Sequence, residues 1–141
     1  MGITIGSKNF SADMGYGGFM NFRKRVAMCV SKNFGNHYAK LSDAMLLYGD
    51  ERDEFFKVYD GETNNFVECN LVSSEIANFC YQSDCEGEID QEQSKHIYEV
   101  IKDYDDDFCY GYSGRSDYAK FKDLKDMFKD CADNGGKVKW R

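Results

Sequence analysis

Two glycine-tyrosine segments combine residue types that together favour binding chemistry: Gly15-Tyr16-Gly17-Gly18-Phe19 and Tyr110-Gly111-Tyr112-Ser113-Gly114-Arg115. Each stands just before a predicted helix. Glycines at such a place let the backbone turn so that N–H groups point outward, and a helix N-terminus adds positive partial charge, which together favour a phosphate or carboxylate. Arg115, with Arg23 or Arg25 behind the first segment, would supply charge-assisted hydrogen bonds, and Tyr16, Tyr110 and Tyr112 would stack on a base. The candidate ligand-binding set is therefore Tyr16, Gly17, Gly18, Arg23, Arg25, Tyr110, Tyr112, Gly114 and Arg115. The bland alternative is that both segments are ordinary turns whose tyrosines cover the edge of the core, since glycine-rich stretches without a fixed template are weak signals.

A second kind of chemistry is carried by carboxylates. In Asp84-Cys85-Glu86-Gly87-Glu88-Ile89, Gly87 and Ile89 stand where the sixth and eighth positions of a calcium loop would, but that register puts Gln82 and Gln93 at the first and twelfth positions. The ligands that close an EF-hand are thus missing, and a tight turn capping the next helix is the better reading. The run Asp103, Asp105, Asp106 and Asp107 falls at the C-terminus of a predicted helix, where partial negative charge is already present. Asp84, Glu86, Glu88, Asp105, Asp106 and Asp107 are the contacts expected if the protein instead covers a basic surface on another protein.

No enzymatic constellation accompanies these groups. His37 and His96 are far apart, and no G-x-S-x-G, H-E-x-x-H or G-K-[ST] element occurs. The six cysteines (Cys29, Cys69, Cys80, Cys85, Cys109 and Cys131) include no C-x-x-C pair, so no zinc site is expected and they read as reduced thiols. The expectation is a protein that is not an enzyme and that holds neither metal nor cofactor.

The elements that must position these residues follow from composition and period. With 141 residues, 42% apolar and 16% aromatic, the chain suits one domain with a substantial core. A net charge of -7 disfavours direct nucleic-acid binding, which needs Lys and Arg at the phosphates. Residues 1–10 lack a basic region followed by an apolar run, and no uncharged stretch approaches membrane-spanning length, so a cytoplasmic protein without membrane contact is expected.

Ile3-Thr4-Ile5 alternates like a strand, and a polar, glycine-rich stretch runs from there to Gly18. Phe19, Phe22, Val26, Cys29 and Val30 recur at helical spacing and predict a first helix. After a turn at residues 33–36, Tyr38, Leu41, Met45 and Tyr48 predict a second, closed by Gly49. Asp50 with Asp53 resembles a cap for a short third helix carrying Phe55, Phe56 and Tyr59 and ending at Gly61. Val72, Ile76, Phe79 and Cys80 predict a fourth helix, and Asp90 with Gln93 caps a fifth through Ile97, Val100, Ile101 and Tyr104. A sixth starts near Ser116 or Asp117, carries Phe121, Leu124, Phe128 and Cys131, and ends at Asn134-Gly135-Gly136. Lys137-Val138-Lys139-Trp140 alternates and can pair with residues 3–5.

Ser83-Asp84-Cys85-Glu86-Gly87-Glu88-Ile89, followed by two helices and a short strand after Gly-Gly, resembles a group of small uncharacterised proteins of bacteria and their phages with an S-D-C-[DE]-G-E turn. Gly15-Tyr16-Gly17-Gly18-Phe19 with Phe22-Arg23 is similar to the opening motif of that group, and together the segments cover about half the chain by the helices and turns they include. The resemblance implies a fold and a bacterial or phage setting, and it brings no catalytic residues.

The expected fold is α+β and predominantly helical, with about six helices by periodicity and a small sheet pairing the chain termini. The first functional expectation is a non-enzymatic protein that holds a phosphate-bearing, nucleotide-derived ligand; in a phage it would be an anti-defence sponge withholding a host immune signal. The alternative is an acidic inhibitor that covers a basic surface of a host protein.

Overall fold

The computed structural model describes residues 2–106, 110 and 119–141. Two short strands, β1 (Gly2–Gly6) and β2 (Ser11–Gly15), form an opening hairpin and lead directly into helix α1 (Tyr16–Val30). Helix α2 (Lys32–Ala39) continues as a 3-10 helix over Lys40–Leu46, then come α3 (Gly49–Glu68) and α4 (Ser74–Tyr81). Strand β3 (Gly87–Ile89), helix α5 (Gln91–Ile101), helix α6 (Phe121–Asn134) and strand β4 (Val138–Trp140) complete the order. The fold is α+β and mostly helical, and the chain termini meet in one antiparallel sheet of order β2-β1-β4-β3.

The alternating apolar residues at both ends explain that pairing. Ile5 lies opposite Trp140 and Gly6 opposite Lys139, so Ile3, Ile5, Val138 and Trp140 all turn to the interior. Strand β2 lies within the stretch that reads as polar and glycine-rich. It forms because Ile3 pairs with Met14, whose side chain is fully buried. Strand β3 is hidden in the same way behind the acidic turn, with Ile89 opposite Val138 as its inward residue.

Inside the sheet an aromatic core collects Phe19, Phe22, Phe79, Phe128 and Trp140. Phe22 stacks on Phe128 at 5.8 Å between ring centroids, and Phe79 meets Trp140 edge-on at 5.8 Å. Gly87 is required here because a Cβ would stand 2.3 Å from the Trp140 ring, whose Nε1–H donates to the Ser83 carbonyl at 2.9 Å. Asp130, on α6, accepts hydrogen bonds from the Ser7 hydroxyl, the Asn9 backbone N–H and side-chain amide, and Asn134. Those donors hold its carboxyl far below the usual range and tie the opening hairpin to α6.

Helix ends follow the expected chemistry in part. Asp90 and Gln93 form the reciprocal cap of α5, with Gln93 N–H donating to Asp90 at 2.8 Å and Asp90 N–H to Gln93 at 3.1 Å. The expected turn at residues 33–36 is instead the first part of α2. Ser31 caps it by accepting from Phe34 N–H, and Phe34, His37 and Tyr38 all face inward. Gly49 opens α3 rather than closing the preceding helix, and neither Asp50 nor Asp53 supplies a side-chain cap there. Gly61 does not end α3, which runs on to Glu68; an exposed mid-helix glycine costs about 1 kcal/mol against Ala and does not terminate a helix. Helix α6 is described from Phe121, and Ser116 and Asp117 lie outside the described residues.

Candidate functional site

Gly18 of the first glycine-tyrosine segment and Tyr110 of the second meet, but as packing. Gly18 lies in the first turn of α1, and a Cβ there would stand 1.6 Å from the backbone oxygen of Tyr110. Tyr110 N–H donates to the Ala119 carbonyl at 2.8 Å, and its ring, 1% exposed, lies edge-on to Phe22 at 5.7 Å. Its hydroxyl donates to Asp106 at 2.9 Å, and burial pushes the phenol pKa upward. A ring so enclosed has no face left for a base, so Tyr110 belongs to the core rather than to a stacking platform. Tyr16 is half-buried against the same core, and Gly17 has open space beside it among the described residues. Tyr112, Gly114 and Arg115, like Asp107 of the acidic run and the cysteine Cys109, lie outside the described residues.

Arg23 and Arg25 do not converge on one anion. Two residues apart on a helix, they point to different faces. The Arg25 guanidinium lies over the Tyr104 ring at 5.5 Å and 3.9 Å from Asp106. Arg23, only 5% exposed, lies over Phe19 at 4.6 Å and donates through Nη1 to the carbonyls of Phe79 at 3.3 Å and Gln82 at 2.7 Å. It thereby satisfies carbonyls at the C-terminal end of α4.

The expected acidic contacts are dispersed. Glu88 pairs with Lys137 at 2.8 Å and approaches Lys139 at 3.9 Å, and the Lys137 hydrogen bond holds its carboxyl below the ordinary value. Asp105 pairs with Lys125 at 2.8 Å, and Asp106 is engaged by Tyr110 and Arg25. Asp84 and Glu86 are exposed in the turn before β3. Among the described residues no three His, Cys, Asp or Glu side chains gather as a metal site. Cys29, Cys69, Cys80, Cys85 and Cys131 are unpaired, and burial pushes the Cys80 thiol up to about 12.

A different region presents open surface: helix α3 and the 3-10 helix before it. Of the 20 residues of α3 only Tyr59 is buried, so this helix is held by one narrow seam. In that seam the His37 ring stacks on Tyr59 at 4.0 Å, and Tyr59 and Tyr81 share a hydroxyl hydrogen bond of 2.8 Å. Thr63 donates its one hydroxyl proton to the Tyr59 carbonyl at 3.0 Å, so its oxygen receives the 2.7 Å hydrogen bond from His37 Nε2–H. The histidine is thus a donor to Thr63, not a base poised to activate it. Its Nδ1 is buried without a hydrogen-bond partner, 3.6 Å from Glu62, and burial holds the ring below its ordinary pKa.

Each side of α3 opens onto a concavity. The first, about 760 Å³, has apolar walls of Leu47, Phe55, Val58 and Tyr59, and a rim of Asp50, Glu51, Glu54 and Glu62 with Lys40. Beside it Met45, Leu46, Tyr48 and Val58 are 71%, 80%, 81% and 55% exposed. The second, about 640 Å³, lies between α3 and the body and is lined by Arg23, Tyr38, Tyr81, Asp60 and Asp84 among others. The first has a sequence signal in Met45-Leu46-Leu47-Tyr48, a run of four apolar residues ahead of an acidic helix. The second has none, because it joins residues from α1, α2, the 3-10 helix, α3 and α4.

Among the described residues no helix is long and apolar enough to cross a membrane. Compared with family models, with curated proteins and with solved structures, the chain matches none.

Proposed function

We propose that this protein is a non-enzymatic binding module that docks a basic, amphipathic segment of another protein in the groove between the 3-10 helix and α3. One observation carries the reading: large apolar side chains at Met45, Leu46, Tyr48 and Val58 stand in solvent beside an apolar groove rimmed by carboxylates. A cluster of exposed large apolar groups with a polar rim is a common mark of an interaction surface. The charge selects the partner. Helix α3 carries Asp50, Glu51, Asp53, Glu54, Asp60, Glu62 and Glu68 against Arg52 and Lys57. A second copy of the chain, an anionic membrane or a nucleic acid would bring like charge to that surface, whereas a helix with a basic face and an apolar stripe complements it.

In the bacterial or phage setting that the resemblance implies, the module would inhibit a host protein by covering its basic surface. The contacts move from Asp84, Glu86, Glu88 and the Asp105 run to α3, because Glu88, Asp105 and Asp106 already have partners. The phosphate-holding reading of the glycine-tyrosine segments is not carried forward, since Tyr110, Arg23 and Arg25 are engaged elsewhere. Unpaired cysteines, with Cys69 and Cys85 exposed, support a reducing, cytoplasmic location.

Affinity capture from the native host tests the proposal. The wild-type chain should retain a basic protein that is released by raised salt and that the double variant Leu46→Glu, Val58→Glu fails to hold. Phe10→Glu, at an exposed apolar residue on the opening hairpin, should capture as well as wild type. Equal retention by the Leu46→Glu, Val58→Glu variant would remove the groove from the interaction.

A further inference from the structure

A buried ring beside the docking groove has one hydrogen-bonding position unfilled. His37 is 2% exposed, its Nε2–H is given to Thr63, and its Nδ1 has no hydrogen-bond partner. In the neutral ring Nδ1 is a bare lone pair, and what stands 3.6 Å from it is Glu62 Oε2, a second acceptor. Two acceptors cannot bond. A proton on Nδ1 turns that contact into a charge-assisted hydrogen bond and gives both ring nitrogens a partner. So enclosed an atom is closed to any ligand, but the Glu62 side chain beside it is 44% exposed and can pass a proton inward from water.

The same carboxylate oxygen has a competing partner. Lys40 Nζ lies 3.3 Å from Glu62 Oε2, and Lys40, Glu62 and Tyr59, on which the His37 ring stacks, all line the groove. The charges that bear on the ring are few. From α3 there is Glu62, which favours the imidazolium, and from the 3-10 helix there is Lys40, which opposes it. Tyr59 and, behind it, Tyr81 of α4 are phenols that burial keeps neutral, and Phe34 and Phe66 complete the surroundings of the ring without charge. Burial of the ring also opposes its charge, so the exchange belongs to acid rather than to neutral pH.

We infer that His37 is an acid-operated switch on this groove: a proton taken from solvent by Nδ1 draws Glu62 from Lys40 to the imidazolium and releases a basic partner. The switch rests on the docking of such a partner in that groove. Its direction follows from charge, since the rim loses one carboxylate to the ring and gains Lys40 as a free cation, and both changes disfavour a basic segment. Linkage makes the effect reciprocal. A docked basic segment lowers the affinity of His37 for its proton by the same factor by which the proton weakens docking.

Two measurements on the full chain test the switch. In the protein alone, the His37 Cε1–H resonance is followed against pH in wild type, Glu62→Gln and Lys40→Met, two substitutions outside the core. The midpoint should fall by about half a pH unit in Glu62→Gln and rise by a similar amount in Lys40→Met, the size of a half-exposed ion pair. For docking, an amphipathic helix of leucine and lysine alone serves as the partner, since lysine does not titrate in this range. Wild type should hold that peptide about threefold more weakly at about pH 5 than at about pH 7.5, and Glu62→Gln should show less than about half of the change. Midpoints unmoved by both substitutions would overturn the exchange, and equal binding by wild type at the two pH values would overturn its effect on docking. Absence of binding at neutral pH, or binding that survives Leu46→Glu, Val58→Glu, would instead sink the docking of a basic segment and the switch with it.

Discussion

Helices α6 and α3 are both amphipathic by sequence, and they end in opposite situations. In α6, 14 residues long, seven side chains are buried, including Phe121, Leu124, Met127 and Phe128. In α3, 20 residues long, only Tyr59 is. Helix α6 lies against α5, α1's aromatic face and the sheet, so its apolar stripe has somewhere to go. Helix α3 touches the body through Tyr59 and Thr63 and through Phe66, which packs on Phe34 and His37, while Phe55 and Phe56 are half-buried and Val58 is exposed. Burial of an apolar side chain contributes roughly 1.5–3 kcal/mol, so the body has a thermodynamic reason for every ring it holds, and the arm formed by α3 lacks one for the exposed Val58. The proposed docking would supply one for the exposed side chains of the arm.

That contrast can be broken most sharply at Phe22. Its ring is fully buried among Phe79, Tyr110, Phe121 and Phe128. Phe22→Ala should cost about 3–5 kcal/mol in urea unfolding, the range for an aromatic deleted from a packed core. A cost below about 1 kcal/mol would mean that the body is as loosely held as the arm.

Gly18→Val comes next, because any Cβ collides with the Tyr110 backbone, which a rotamer change cannot relieve. A loss of about 1–3 kcal/mol is expected, as for other overpacked sites. Ser73 caps α4 by accepting from Ile76 N–H at 3.2 Å, and Ser73→Ala should cost about 1 kcal/mol.

The seam between the two regions should respond to acid. Burial depresses the His37 pKa in the folded chain, so the unfolded chain binds that proton more tightly. The contribution of neutral His37 is complete above about pH 6.5, its unfolded value, and is lost as pH falls from there to the folded pKa. His37→Asn should flatten the stability profile across that window, measured as Tm against pH. Smallest of all, Val58→Ala on the arm should change stability by less than about 0.5 kcal/mol.

Much of the body was legible in the sequence. Phe19, Phe22 and Val26 at helical spacing, the Asp90 and Gln93 pair, and the alternating residues at both termini each state a local rule that the tertiary structure obeys. Strands β2 and β3 were not legible, since each offers one inward residue, Met14 or Ile89, and owes its shape to a partner strand. The arm misled for a different reason. Phe55, Phe56 and Tyr59 have helical spacing, but period reports which residues share a face, and says nothing of whether another element of the same chain covers it. Arg23 and Arg25 meet different neighbours from those their spacing in sequence suggests, because two positions apart on a helix is a rotation of about 200° and only the packed structure shows what each side chain meets.

The most direct measurement of the arm's role is site-specific photocrosslinking in the native host, with the reactive side chain placed at Val58 in one protein and at Phe10 in another. Both positions are exposed and apolar, and only Val58 lies in the carboxylate-rimmed groove. The expected result is one dominant adduct at position 58 with a basic protein, weakened at high salt and absent at position 10. The same adducts at both positions, or an adduct at position 58 only with a second copy of this chain, would contradict docking of a basic partner on α3.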